Sequence, residues 1–495
     1  MSRFPALWPL AALLALAACA NPVKTPELKE ISQVEGYRPN VLDQRAPKPL
    51  DDTAVILTFS GGGTRAAALA DGVLRGLAKV EVPAGGQRVR LVDQIDVISS
   101  VSGGSVTSAY YGLYGYDGLA SLEQNFLKQD VMAQLIARGL ADPGTLIFGP
   151  RIDILEKYFN EVVFKGQTYQ AMLDADRPGE QHRPYVVLNA TDMTAGHVFS
   201  FTQDQFDLIC GDLARFKVAD AVTASAAFPV ALTAITVDNR APCAAQRDAA
   251  TAQRWGWSMV NGEPRPIAIE NDTSGDQQAG LDYPSAGNLA RFRRGTVAAT
   301  YLNQDKATPK PYIQLVDGGV SDNVGLTRPI QMLTTSQAMP SFLNRLNTGR
   351  MKRLLLVIVN ARSEQPTGYD TDPRPPKLTD TLLTTIGTPI DGVTFQLIDS
   401  LDPLLANLTG TKLQGEAVVP IDFDYIVDPA CRLSFHSMAT SWTLPPKQVD
   451  ALIAMGETMV LQSPALQKLV TGMGGTVPPP AHSVAEICQM VKASS

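Results

Sequence analysis

The run Ala54-Val-Ile-Leu-Thr-Phe59, ending in Gly61-Gly62-Gly63, limits what this chain can fold into more than any other feature. A strand that is apolar at every position has no face left for water, which implies a parallel sheet covered by helices on both sides. Leu69, Val73, Leu77 and Val80 follow at helical spacing, so the run reads as strand, glycine turn, helix. Residues 95–99, 185–189, 312–316 and 354–360 are further strand candidates, with helix-like stretches between several of them, and the expected fold class is α/β. With 45% hydrophobic and 18% charged residues the chain can bury a large core. Its net charge of −7 and lack of any basic stripe argue against a nucleic-acid partner.

The first residues read as an address. Arg3 precedes an apolar stretch from Pro5 to Ala18 that is short for a membrane span, closed by Leu16-Ala17-Ala18-Cys19. This looks like a signal peptide, residues 1–18, ending in a lipobox. The resemblance implies that Cys19 is lipidated and becomes the mature N-terminus. Ala20, in place of Asp, favours onward transport to the outer membrane, facing the periplasm. Residues 19–50 are polar and carry Pro22, Pro26, Pro39, Pro47 and Pro49, as expected of a tether to a folded body spanning 51–495. Cys210, Cys243, Cys431 and Cys488 allow three pairings in an oxidising compartment. Short loops favour Cys210 with Cys243 and Cys431 with Cys488. No cysteine or histidine cluster points to a metal.

Three motifs carry chemistry. Ser100-Val101-Ser102-Gly103-Gly104 lies between a strand and a helix-forming stretch, where a tight turn presents a serine hydroxyl outward and sets the Gly103 amide beside a developing oxyanion. Gly61, Gly62 and Gly63 end the first strand, and consecutive glycines let backbone amides form a nest for negative charge. Asp317-Gly318-Gly319 ends another strand, which aims a carboxylate into the crevice where open α/β sheets hold ligands. Each motif alone has an ordinary reading: a Gly/Ser loop, a dinucleotide-binding turn, an Asp-Gly turn.

Together, in this order and spacing, they resemble the patatin-like phospholipase family. Supporting blocks are Asn189-Ala-Thr-Asp192 with Gly196 and Phe199, Ala224-Ser-Ala-Ala-Phe-Pro229, and Asp317-Gly-Gly-Val-Ser-Asp322-Asn323 with Gly325. The resemblance covers 53–330 and leaves 331–495 as a C-terminal extension. It implies a three-layer α/β/α sandwich around a mostly parallel sheet; upon that scaffold, the amphipathic spacing of 117–175 reads as an inserted cap and the polar composition of 235–310 as a long surface elaboration or lid. It also implies a Ser102–Asp317 dyad, an oxyanion site of Gly61, Gly62, Gly63 and Arg65, a phospholipid or lysophospholipid acyl ester as substrate, and no cofactor. Gly62 is expected to be the least replaceable of the three glycines. Two positions depart from the pattern: Ser100 stands where glycine is usual, and Ala66 where glycine often follows the basic residue. The alternatives are a Ser-His-Asp esterase using His436, an acyltransferase, and a non-enzymatic lipid-binding envelope lipoprotein.

Overall fold

The computed structural model describes residues 22–32, 34–141, 151–175, 182–229, 232–241, 251–252, 255–260, 263–266, 289–302, 310–335, 340–364, 373, 375, 377–409 and 413–492. The apolar runs form a central sheet. Its strands are β1 (Thr53–Phe59), β2 (Val97–Val101), β3 (Tyr185–Asp192), β4 (His197–Phe201), β5 (Ile235–Asp238), β6 (Tyr312–Asp317), β7 (Arg353–Asn360) and β8 (Gly415–Asp422). They lie in the order β8-β7-β1-β2-β3-β6-β5, with β4 also paired to β3. The five strands from β8 to β3 are mutually parallel, and β4, β5 and β6 add antiparallel pairings at one side. Every residue of β1, β2 and β3 is buried, so the sheet is covered on both faces as its sequence requires.

Two crossovers carry the site. Helix α1 (Gly63–Ala78) joins β1 toward β2, and α2 (Ser102–Leu122) begins directly at the end of β2. Between α1 and β2 the chain makes a small antiparallel hairpin, Glu81–Ala84 with Gln87–Arg90. The next parallel strand ends in Val101 and Ser102 and not in the acidic ribose ligand a dinucleotide site would need. Helix α3 (Val218–Ser225) packs beside α2, and α4 (Pro446–Gln462) lies along α1. A Cβ at Gly72 would come within 2.0 Å of the Ile453 carbonyl and one at Gly456 within 2.3 Å of the Leu69 carbonyl, so these two glycines let α1 and α4 touch backbone to backbone.

Two expectations change. The proline-rich segment before β1 is not a free tether where it is described: Val23 bridges Val237, Thr25 is fully buried, Tyr37 is buried in the core, and the Tyr37 hydroxyl accepts the Val186 N–H at 2.8 Å. Arg38 pairs with Asp204 and Asp207 in the interior. The 235–310 segment is not wholly a surface lid, because its start is β5, Trp255 and Trp257 are buried, and Tyr301 of helix Leu289–Tyr301 donates to Asp192. The C-terminal extension is integral, since it supplies β7, β8 and α4. Within 117–175, Leu155, Tyr158, Phe159 and Val163 are buried, and Phe126 and Phe159 close on Trp442 of the C-terminal segment.

Cys431 and Cys488 form a disulfide, as loop length favours. Cys210 is also disulfide-bonded, with its partner outside the described residues; Cys243, like Cys19, lies outside them. No helix among the described residues is long and apolar enough to cross a membrane.

Candidate active site

The register of three strands brings Ser102 and Asp317 together. Val101 pairs with Asn189 of β3, and Asp317 pairs with the next residue, Ala190. Since β4 occupies the other side of this part of β3, β6 descends onto the end of β2 and delivers Asp317 beside the residue that follows Val101. That residue is Ser102, at φ +50°. A non-glycine residue held there costs on the order of 1 kcal/mol, and such strain persists only where neighbours enforce it.

The neighbours are hydroxyls. Ser225 Oγ gives its hydrogen to Asn189 O (2.6 Å), so it accepts from the Ser102 N–H (2.8 Å) and pairs with Ser105 Oγ (2.9 Å). Asn189 Nδ2 donates to Ser99 Oγ and to Ser100 O, both at 3.0 Å, and its Oδ1 accepts from Ser200 at 2.7 Å. Ser100, in the usual glycine position, is fully buried with its Oγ 2.5 Å from Ser108 Oγ. The departure from the family pattern is thus accommodated by a second hydroxyl on α2. These partners fix the turn around the Ser102 backbone.

Asp317 is buried and meets no cation among the described residues. The Gly319 N–H donates to its carboxylate at 2.7 Å, and the Ser102 side chain lies close enough to stabilise the charged form. Burial pushes its pKa up to about 6, and these two neighbours only partly oppose the rise. A carboxylate with that pKa is mostly ionised at neutral pH yet basic enough to take a proton, as a general base must be. Ser102 is 7% exposed, so the hydroxyl is sheltered but reachable.

The glycine loop divides its labour. The Gly61 N–H donates to Asn323 O at 3.0 Å, which removes it from the candidate oxyanion donors. The Gly62, Gly63 and Gly103 amides make no hydrogen bond among the described residues, and the two loops touch, a Cβ at Gly103 falling 2.0 Å from Gly63 O. Gly62 has φ +137°, a conformation L side chains rarely adopt. Gly63 combines φ +58° with a Cβ position 2.4 Å from Ser441 O, an immovable backbone atom. A Cβ at Gly62 would meet Arg65 Nη2 at 3.1 Å, Ala66 Cβ at 3.3 Å and the Ala361 carbonyl at 3.4 Å, all looser contacts. The steric demand is therefore heavier at Gly63 than at the expected Gly62.

Arg65 is placed differently from the expectation. Its guanidinium donates to Ala361 O (2.8 Å), Met438 O and Thr440 Oγ1 (3.1 Å), and burial lowers its pKa to about 10. It ties the loop to the C-terminal segment and is not turned toward Ser102. Ser441 O accepts the Thr64 N–H at 2.9 Å from the same segment. Asp322 accepts the Leu326 and Thr327 N–H groups, which shapes the loop carrying Asn323.

Both ring nitrogens of His436 are occupied, Nε2 by Asp424 (2.9 Å) and Nδ1 by Arg362 O (3.2 Å), which leaves none for Asp317 or Ser102. His197 lies against Tyr301. Among the described residues no group of His, Cys, Asp and Glu is arranged to hold a metal.

Residues 57–252 match the sequence model of the family described as patatin-like phospholipase. No curated protein sequence matches the chain. Among solved structures, human GIVD cytosolic phospholipase A2 is similar over 92% of this chain at 12% identity, with a TM-score of 0.35, too slight a likeness to argue from. The chain spans 65% of the length of that structure. The family match takes in the glycine loop, Ser102, Asn189 and Ser225 and ends before Asp317. The match covers about two fifths of the chain, and the mainly parallel sheet with a serine turn at its edge is consistent with the patatin-like fold.

Proposed function

We propose that the protein is a serine acyl hydrolase that cleaves phospholipid or lysophospholipid acyl esters through Ser102 and Asp317. One observation carries this reading: strand register sets a serine at φ +50° beside a buried carboxylate that has no cation against it among the described residues. Ser102 Oγ attacks the ester carbonyl as its proton passes to Asp317, and the Gly62, Gly63 and Gly103 amides face the charge that develops on the carbonyl oxygen. Collapse releases the alcohol with that proton and leaves an acyl-serine. Water, deprotonated by Asp317, then frees the fatty acid. The family's name supports a lipid substrate. The address at the N-terminus supports lipidation at Cys19 and a place in the cell envelope, at the outer membrane facing the periplasm.

The test is to incubate purified wild-type, Ser102→Ala and Asp317→Asn proteins with defined phospholipids and lysophospholipids and identify released acids by mass spectrometry. Unchanged turnover in a folded variant removes that residue from the mechanism. His436→Gln should keep most of the activity, and its collapse would restore the triad reading.

A further inference from the structure

Resting on that reading, we infer that the catalytic end of the sheet is the surface that meets the membrane, and that residues 22–30 hold the lipid anchor beside it, so that the protein cleaves lipids of the membrane it is anchored in.

The anchor's leash is short because the segment after it is part of the sheet edge. Val23 runs parallel to β5, giving its N–H to Thr236 O (2.8 Å) and accepting from Asp238 N–H (3.1 Å). Thr25 Oγ1 donates to Asp238 O at 2.8 Å, Asp212 N–H to Pro26 O at 2.8 Å, and Leu28 N–H to Cys210 O at 2.9 Å. Val237 stands opposite Ile313, four residues before Asp317 on β6. Two strand spacings across and four residues along put Val23 roughly 16 Å from Asp317. Cys19 precedes Val23 by four residues, so covalent reach holds it within about 14 Å of Val23 in whatever direction those residues run. The lipid therefore leaves the chain no more than about 30 Å from the dyad, on a body roughly 60 Å across.

The same end of the molecule exposes apolar side chains. Ile136 and Leu140, 60% and 67% exposed, share one face of helix Val131–Ala141. That helix starts where Met132 N–H donates to Thr443 (2.9 Å), close in sequence to the Ser441 carbonyl that holds the glycine loop. Met193 is exposed just past the end of β3, and Tyr312 at the outer end of β6, opposite Asp238. Tyr425 and Val427, the latter 89% exposed, follow the end of β8. Met193, Tyr312, Tyr425 and Val427 thus stand at or just past strand ends on the catalytic side of the sheet, and Ile136 and Leu140 lie on a helix tied to the segment that holds the glycine loop. Such separate protrusions suit a broad apolar layer into which each side chain dips, and the anchor brings a bilayer to it.

The experiment uses the lipidated full-length protein in phospholipid vesicles, mixed with protein-free vesicles of the same lipids carrying a different acyl label. Its own vesicles should be hydrolysed on the order of 10²-fold faster, the usual gain from tethering. Equal rates, or a wild-type chain with no lipid on Cys19, would overturn the inference. In a second arm, Ile136→Ser with Leu140→Ser should lower vesicle hydrolysis about tenfold while hydrolysis of a monomeric short-chain ester is unchanged. Unchanged vesicle rates would remove this surface. Failure of the proposed activity looks different: the wild-type protein would then cleave neither vesicle lipid nor monomeric ester.

Discussion

Two buried carboxylates mark the two ends of β2. Asp96 precedes its first residue and Asp317 meets its last. Burial pushes the pKa of both upward, but at Asp96 the Lys48 ammonium (2.5 Å), the Arg345 guanidinium (3.0 Å) and the Val55 N–H (2.7 Å) outweigh it and hold the carboxyl below its usual range. At Asp317 only uncharged donors oppose burial, and the pKa stays at about 6. Equal burial thus yields opposite chemistry, and the presence of a cation decides which. The lower end of the sheet holds a fixed charge that fastens residues before β1 to the body, while the upper end holds one that can be exchanged for a proton.

The largest effect that would break this contrast is at the upper end. Ser102→Ala or Asp317→Asn should lower turnover on the order of 10⁴-fold, as loss of a nucleophile or its base does elsewhere. Asp317→Asn should melt no lower than wild type at pH 7, because it removes the burden of burying a charge; calorimetry beside the kinetic assay separates the two. Lys48→Met should do the reverse. It strands Asp96 without its nearest cation and should cost about 3–5 kcal/mol in denaturant unfolding while leaving kcat of the folded fraction alone. Full activity loss in well-folded Lys48→Met protein would mean the two ends are not independent.

A smaller effect belongs to the glycine loop. Gly63→Ala and Gly62→Ala should each reduce kcat about 10²-fold with little change in KM, the scale of one lost oxyanion donor, and Gly63→Ala should also lower Tm because of Ser441. Equal Tm for the two variants would contradict the steric ranking.

The smallest effect is in pH. Asp317 must be ionised to act, so kcat/KM should rise through an acid limb near pH 6. Stability should move the opposite way. The folded Asp317 keeps its proton up to about pH 6, whereas an unfolded aspartate loses it near its ordinary value of 3.8, so the native state binds more protons between those values and stability falls as pH rises. The Asp317→Asn variant should lack that part of the slope in pH-dependent unfolding.

Much of this was written locally in the chain. The uninterrupted apolar runs of β1, β3 and β7 announce fully covered strands, and Ser102 lies at the strand-to-helix boundary its neighbours predict. What was not legible depends on partners far away in sequence. The short edge strand β5 and β8, with Pro420 inside it and alternating burial, lack a strong run. Prolines before β1 indicate an extended chain but not whether it is free, and the informative residues were Tyr37, Val41 and Leu42, which are buried. Arg65 follows the glycine loop in sequence, yet a long side chain goes where its acceptors are, here Ala361 and Met438. The block containing Ser225 was visible as a motif, but its role as the hydroxyl under the Ser102 amide needed three dimensions.

The contacts of Ser441 and Met438 with the glycine loop also bear on when the protein becomes active during its own synthesis. The loop and Ser102 emerge early from the ribosome, but the groups that hold the loop come from the final part of the chain, beyond β8, in a segment stapled by Cys431–Cys488. A nascent chain would therefore carry its nucleophile without a finished oxyanion site, and a truncation ending before Cys431 should bind lipid poorly and cleave no ester. On the proposed reading, order of manufacture then serves as a safety catch: ester cleavage waits until Met438 and Ser441 have been translated and docked against the glycine loop.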